Sequence, residues 1–139
     1  MIKKIIKTEN QWRQILTPEQ YQVMRQKQTE RPFSCQLNQY KGEGFFHCAA
    51  CDLPLFKSGV KFESGTGWPS FYEPVADNHL LYHQDLSLGI KRTEILCARC
   101  DSHLGHVFSD GPPPTGRRFC INGVALRFKA NRHKTKDLP

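Results

Sequence analysis

Two pairs of cysteines constrain this chain more than any other feature of its sequence. Each pair has the spacing C-x-x-C, with Cys48 and Cys51 in "CAAC" and Cys97 and Cys100 in "CARC". Two such pairs supply four thiolates, which complete a tetrahedral zinc shell. A substantial part of the fold must then lie between the two halves of the site. Because four thiolates leave no open position for substrate, we expect zinc here to stabilise the fold and to perform no chemistry.

Two other interpretations of the cysteines depend on where the protein resides. An even count of six cysteines would indicate a disulfide framework in a secreted chain, and one C-x-x-C alone can be a redox pair. The opening "MIKKIIKTEN" is basic, but its apolar part is too short for a signal peptide. No apolar run approaches the roughly 20 residues of a membrane helix. We therefore expect a cytoplasmic protein that does not enter a membrane.

Charge gives a weaker indication of function. The 139 residues carry a formal net charge of +7, and basic residues cluster only in "KKIIK" and "RFKANRHKTK". A positive balance permits binding to nucleic acid, so a zinc-ribbon nucleic-acid module is the main alternative function. Because most basic residues are scattered, a solvated surface explains them better, and we expect no nucleic-acid partner.

The remaining pattern predicts short helices followed by a mainly β domain. "TENQ" and "TPEQ" are typical capping boxes and predict helices near 9–15 and 18–27. After Phe33 short strand-like runs alternate with glycine and proline, which is typical of antiparallel sheets. We expect a single domain over 1–139, with a helical segment at about 8–30, a β domain at about 33–129 and a disordered tail at about 130–139.

One of these strand-like runs, "RRFCINGVALRF" (117–128), contains an unpaired cysteine. Strand alternation places Arg118, Cys120 and Asn122 on one face and two apolar residues on the other. The apolar positions change parity after Gly123, which indicates a bulge or bend of the kind often found beside active sites. From the strand alone, Cys120 is equally explained as a nucleophile or as a buried structural thiol.

Two further stretches contain residues suited to chemistry. In "SGTGWPSF" a rigid loop holds Trp68, which can form the wall of an apolar pocket or simply fill the core. In "HLGH" the imidazoles of His103 and His106 can handle a proton or an oxyanion, or they can bind metal or lie on the surface. Metal binding by this pair is disfavoured because four cysteines already fill one shell.

The ordered motifs "CAAC…GTGWPSF…CARC…SHLGHVF…RFCIN" resemble the B-type methionine sulfoxide reductases, the peptide-methionine (R)-S-oxide reductases. The resemblance runs from about Thr17 to Phe128. It implies two antiparallel sheets in a tent-like arrangement, short N-terminal helices and a peripheral zinc site held by four cysteines. It also implies reduction of one epimer of methionine sulfoxide in oxidised proteins. A zinc-dependent hydrolase is excluded by the same closed ligand shell.

The resemblance assigns a role to each motif residue. Cys120 matches the nucleophile, and the zinc ligands match Cys48, Cys51, Cys97 and Cys100. The other matching positions are His103, His106, Arg118 and Asn122 for catalysis and Trp68 and Phe108 for substrate binding. Many members carry a resolving cysteine where this chain has Thr66. Some members use a cysteine near the start of the β domain instead, and Cys35 is the one left over here.

The implied chemistry begins with attack by a Cys120 thiolate on the sulfoxide sulfur. We expect Arg118 to stabilise the thiolate and the histidines to protonate the departing oxygen. Cys120 becomes a sulfenic acid, which Cys35 converts to a disulfide that thioredoxin reduces. The alternative is that thioredoxin attacks the sulfenic acid directly. Nothing in the sequence indicates an oligomer, so we expect a monomer by default.

Overall fold

The computed structural model describes residues 2–38, 40–87 and 89–131. Its two helices are α1 (Glu9–Ile15) and α2 (Pro18–Met24). Its strands are β1 (Gly44–Cys48), β2 (Pro54–Lys57), β3 (Lys61–Phe62), β4 (Ser70–Phe71), β5 (Leu80–Asp85), β6 (Arg92–Cys97), β7 (His103–Phe108), β8 (Arg118–Ile121) and β9 (Leu126–Ala130). Short 3₁₀ turns precede several strands.

Both helices begin at the predicted capping boxes. Thr8 accepts a hydrogen bond from the backbone N–H of Gln11, whose side chain accepts one from Thr8 N–H, and Thr17 and Gln20 repeat the arrangement. The second helix ends at Met24 rather than near residue 27. Lys27 adopts a left-handed backbone conformation, with φ of 60°, which a continuing α-helix excludes.

The strands form two antiparallel sheets, as the resemblance implied. A three-stranded sheet has the order β2-β1-β9, and a six-stranded sheet has the order β3-β4-β8-β7-β6-β5. The hydrophobic core lies between them, where buried phenylalanines from both sheets meet. Phe56 of the small sheet stacks on Phe71 of the large sheet at 4.3 Å between ring centroids, and Phe46 meets the same ring edge-on at 5.1 Å.

The prediction of a single strand through residues 117–128 is wrong. The segment forms two strands in different sheets, with β8 in the large sheet and β9 in the small one. A 3₁₀ turn at Gly123–Ala125 joins them and causes the change in apolar parity, because the chain leaves one sheet there and enters the other. The glycine therefore marks a crossing between sheets rather than a bulge within a strand.

One other strand boundary differs from the one that the sequence predicted. The sequence also predicts a strand-like run "LGIKRTEILC" from residue 88, which lies outside the described residues, but the strand begins only at Arg92. At the start of the expected tail, Ala130 ends β9 and Asn131 N–H donates to the Glu43 carbonyl. Residues 132–139 lie outside the described residues. Neither described helix has the length and apolar character needed to cross a bilayer.

Candidate active site

A row of polar side chains crosses one face of the six-stranded sheet. In register, His83 lies opposite Glu94, Glu94 opposite His106, His106 opposite Cys120, and Cys120 opposite Ser70. Residues paired in adjacent strands share a face, because side chains alternate along each strand. The opposite face carries the buried Phe119 and Ile121, so Cys120 lies away from the inter-sheet core.

A bulge in β7 places both histidines of "HLGH" beside this row. Residues three apart in a regular strand lie on opposite faces. Here Ile95 pairs with Gly105 and Leu96 pairs with His103, so the strand contains one extra residue, Leu104. The His103 and His106 rings consequently approach to 5.6 Å between centroids.

His106 is held by a carboxylate. Its Nε2 lies 2.8 Å from Asp85 Oδ2, and Arg92 Nη2 lies 3.1 Å from the same oxygen. Hydrogen bonds from the Ser87 backbone and from His106 hold the pKa of Asp85 well below its usual range. Because an ionised carboxylate only accepts, the His106 Nε2 carries the hydrogen and Nδ1 is left for other partners.

His103 has a carboxylate of its own. Its Nδ1 lies 2.7 Å from Glu94 Oε2, and both side chains are buried. Burial lowers the pKa of His103, although Glu94 opposes that effect. A neutral imidazole must donate from Nδ1 to the carboxylate, which leaves Nε2 as an acceptor. Among the described residues that buried Nε2 has no hydrogen-bond partner.

Cys120 opens into a cavity of about 220 Å³. The cavity is lined by Thr29, Thr66, Trp68, Arg92, Gly105, His106, Phe108, Arg118, Cys120, Ile121 and Asn122. The structure therefore brings together every predicted catalytic and substrate-binding residue except His103, which lies beside His106. Thr66, at the position of the missing resolving cysteine, is part of the same wall.

The ionisation of Cys120 differs from the expected one. Burial raises the pKa of the Cys120 thiol, and the charge of Arg118 and a hydrogen bond with Thr66 only partly oppose that effect. The cation predicted to favour the thiolate is present, but it does not outweigh burial in the free protein. The Arg118 guanidinium also interacts with a second anion, because its Nε donates to Asp110 Oδ1 at 2.9 Å.

Two aromatic rings give the cavity its apolar walls. Phe108 lies under the Arg118 guanidinium at 4.4 Å from ring centroid to Cζ, which fixes the cation above it. The Trp68 ring nitrogen donates to the Glu30 backbone carbonyl at 2.9 Å. Trp68 is thus oriented by a residue from the N-terminal segment, far from the "GTGWPSF" loop in sequence.

Glu30 also secures the end of β8. Its backbone N–H donates to Asn122 Oδ1 at 2.9 Å, and its carboxylate accepts from the N–H groups of Gly123 and Val124 at 2.8 and 3.0 Å. The Asn122 amide in turn donates to the Leu104 carbonyl at 3.0 Å, across to the bulge in β7. Asn122 is consequently buried and fixed although it lies just past the strand.

Cys35 lies outside the Cys120 cavity. It is partly buried, it precedes the 3₁₀ turn at Gln36–Asn38, and its side chain lies against Gly123. Burial raises the pKa of its thiol. The predicted resolving cysteine thus contacts the turn that follows β8, at Gly123, which lies three residues along the chain from Cys120.

The two C-x-x-C pairs meet in one cluster. The four sulfur atoms lie within 4.8 Å of one another, with 3.7 Å between the sulfurs of Cys48 and Cys100 and 3.5 Å between those of Cys51 and Cys97. Tetrahedral zinc at about 2.3 Å from each sulfur requires separations of roughly 3.8 Å, so the set fits this ion. None of the four is disulfide-bonded.

The two metal-binding turns have the same backbone geometry. In each, the residue after the second cysteine, Asp52 or Asp101, has a positive φ and donates its N–H to the carbonyl of the first cysteine at 2.8 Å. Cys48 ends β1 in the small sheet and Cys97 ends β6 in the large sheet. A bound metal would therefore tie the two sheets together, away from the Cys120 cavity.

Sequence reasoning did not identify four residues of this site: Glu30, Asp85, Arg92 and Glu94. Asp85 follows His83 by two positions in β5, and Glu94 follows Arg92 by two in β6. That alternation of charged residues is a detectable signal of one polar face. Nothing in the local sequence indicates Glu30, because its partners are all distant along the chain.

Comparison with known proteins agrees with this geometry. Residues 16–130 match the SelR domain. Peptide methionine sulfoxide reductase MsrB of Pseudomonas putida is 59% identical over 128 residues, 92% of this chain and 96% of that protein. The MsrB of Pseudomonas fluorescens is 58% identical over 90% of this chain and 96% of that protein, and that of Methanosarcina mazei is 54% identical over 96% of both. The chain belongs to the SelR domain family, among the peptide methionine sulfoxide reductases of the MsrB type.

Proposed function

We propose that this protein reduces methionine sulfoxide in oxidised proteins to methionine, acting on the R epimer. The observation that carries the proposal is the opening of Cys120 into a small cavity with aromatic walls and a carboxylate-bound histidine. A thioether methyl group suits the apolar walls of Trp68 and Phe108, while the sulfoxide oxygen needs a hydrogen-bond donor. In this proposal residues 1–139 act as one catalytic domain, of which residues 16–130 match the family.

The first step transfers the sulfoxide oxygen to Cys120. The Cys120 sulfur attacks the substrate sulfur, and the oxygen then passes to the Cys120 sulfur as the substrate S–O bond and the transient S–S bond break. The products are methionine and a Cys120 sulfenic acid. The substrate sulfur gains the two electrons that the cysteine sulfur loses. The thiol proton balances the departing oxygen, so a thiol that is protonated in the free site supplies the proton that the reaction consumes. His106 relays it, and Arg118 stabilises the charge that develops on sulfur.

The surrounding groups position these reactants. Asp85 orients His106, Glu94 orients His103, and Asn122 fixes the end of the strand that carries Cys120. Trp68 packs against the methyl group and selects the epimer, because the methyl group and the oxygen exchange places between the two epimers when the rest of the side chain is held fixed. Phe108 supports the Arg118 guanidinium from below.

The second step regenerates the thiol. Cys35 attacks the sulfenic acid, forming a Cys35–Cys120 disulfide and releasing water. Thioredoxin then reduces that bond by dithiol exchange and is itself oxidised to a disulfide. We assign zinc to the four-cysteine cluster as a structural ion, because its closed shell holds no substrate. A dithiol reductant and free cysteines suit a reducing compartment, so we place this monomeric enzyme in the cytoplasm, with no membrane or nucleic-acid partner.

A racemic methionine sulfoxide peptide tests the proposal. With thioredoxin as reductant, we expect half of the peptide to be reduced and the S epimer to remain, as measured by chiral chromatography. Cys120→Ser should abolish methionine formation even in a single turnover. Cys35→Ser should still release one methionine per chain without reductant. Reduction of both epimers, or activity in Cys120→Ser, would contradict the proposal.

A further inference from the structure

Gly123, at the turn between β8 and β9, is in contact with Cys35. An ideal Cβ built on Gly123 would lie 2.6 Å from the Cys35 Cβ and closer still to its sulfur. Gly123 does not adopt the left-handed backbone conformation that requires glycine. Its lack of a side chain is therefore explained by the neighbouring thiol rather than by its backbone.

Rotation of the cysteine side chain cannot make room for a methyl group at this position. Turning about χ1 moves the Cys35 sulfur but leaves its Cβ in place. Because an ordinary contact is at least 3.4 Å, that Cβ must retreat by about 0.8 Å, and the backbone around Cys35 must move with it. Glu30 Oε2, at 3.3 Å from the same ideal Cβ, restricts movement on a second side.

The same turn relates Cys35 to Cys120. Glu30 anchors the Gly123 and Val124 N–H groups, and its charge raises the pKa of both thiols, so it lies near each of them. Gly123 follows Cys120 by three residues, which limits their Cα separation to about 11 Å. The residue that Cys35 contacts, Gly123, thus belongs to the same segment as Cys120.

We propose that Gly123 is a positioning residue. Because it has no side chain, it leaves the space that holds the Cys35 thiol for disulfide formation. This inference rests on the proposed role of Cys35 as the resolving cysteine. The step that Gly123 serves is attack of the Cys35 sulfur on the Cys120 sulfenic acid, in which an S–S bond forms, the S–O bond breaks and water leaves. Displacing the Cys35 thiol from Gly123 affects this second step. The first step does not use Cys35 and is unchanged.

The test is Gly123→Ala, with Gly59→Ala as the matched control. An ideal Cβ at Gly59 meets nothing within 4 Å, and its backbone also lies outside the left-handed region. After one equivalent of sulfoxide peptide without reductant, methionine release reports the first step, and quenched thiol counting reports the disulfide. We expect unchanged methionine release in Gly123→Ala and disulfide formation slowed by about tenfold or more, since a shift of about 1 Å can cost up to about 100-fold in rate. Gly59→Ala should match the wild type in both.

A second comparison separates positioning from a general effect on folding. In a Cys35→Ser background, Gly123→Ala should cause no further loss of thioredoxin-driven turnover, because the thiol that it displaces is gone. Disulfide formation at the wild-type rate in Gly123→Ala would overturn the inference, as would equal losses in both backgrounds. If the wild type itself forms no Cys35–Cys120 disulfide, the resolving role of Cys35 fails, and this inference fails with it, while a normal methionine burst would leave the reductase activity intact.

Discussion

His106 and Cys120 lie directly opposite each other in the β7–β8 register. Cross-strand partners have Cβ atoms about 4.5–5.5 Å apart, so the imidazole and the thiol project side by side from one sheet face. Asp85 then approaches the imidazole from β5. The proposed nucleophile, its histidine and the orienting carboxylate thus come from three strands of one sheet, which is a rigid arrangement for the proposed proton relay.

Asp85→Asn should slow the chemical step. An asparagine amide cannot hold His106 as an anionic acceptor does, so the histidine loses its fixed tautomer and orientation. We expect kcat for sulfoxide reduction to fall by about 10- to 100-fold, at or below the lower end of the roughly 100- to 10,000-fold that general acid–base catalysis supplies, with KM nearly unchanged. Asp77→Asn, at an exposed position, is the control. An unaltered kcat in Asp85→Asn would remove this role.

The Cys120 thiol should react with alkylating agents only at high pH in the free protein. Burial raises its pKa, so the alkylation rate measured on the Cys120 peptide by mass spectrometry should rise through a midpoint above the ordinary value of about 8.5. Arg118→Gln removes the cation that opposes burial and should shift the midpoint upward, whereas Arg118→Lys should shift it less. A midpoint below neutrality would show that burial does not dominate.

Loss of the metal should unfold the protein. Binding of structural zinc contributes about 10–16 kcal/mol in zinc-finger peptides, which is comparable to the whole free energy of unfolding of a typical domain, roughly 5–15 kcal/mol. We expect Cys97→Ser, or prolonged chelation, to abolish the cooperative thermal transition followed by circular dichroism. Cys35→Ser, which changes a cysteine outside the cluster, should melt close to the wild type. A normal melting temperature after verified metal removal would contradict this expectation.

Trp68 should control substrate affinity more than chemistry. Trp68→Ala removes an apolar wall of the cavity, and we expect kcat/KM for the sulfoxide peptide to fall by about tenfold or more, mainly through KM. Trp68→Phe keeps an aromatic wall but loses the donor to the Glu30 carbonyl, so its kcat/KM should lie between those of the wild type and Trp68→Ala. Chiral analysis of the unreacted peptide shows whether the preference between epimers declines in parallel. A loss confined to kcat would instead place the indole in the chemical step.

The sequence by itself determined the local elements and the chemistry they carry. The capping boxes position both helices, the C-x-x-C spacing predicts the four-cysteine cluster, and the alternation around Cys120 directs its thiol away from the core. Each of these signals is short-range, because capping, turn geometry and strand alternation act over a few residues.

Only the tertiary structure decided how these pieces combine. The bulge at Leu104 brings His103 and His106 to one face, the crossing at Gly123 separates two strands that read as one, and burial sets the ionisation of Cys120. Glu30 becomes a structural junction only after the N-terminal segment packs against the end of β8. These features depend on register, desolvation and contacts between distant residues, which are fixed by the packing of the two sheets and not by any local pattern.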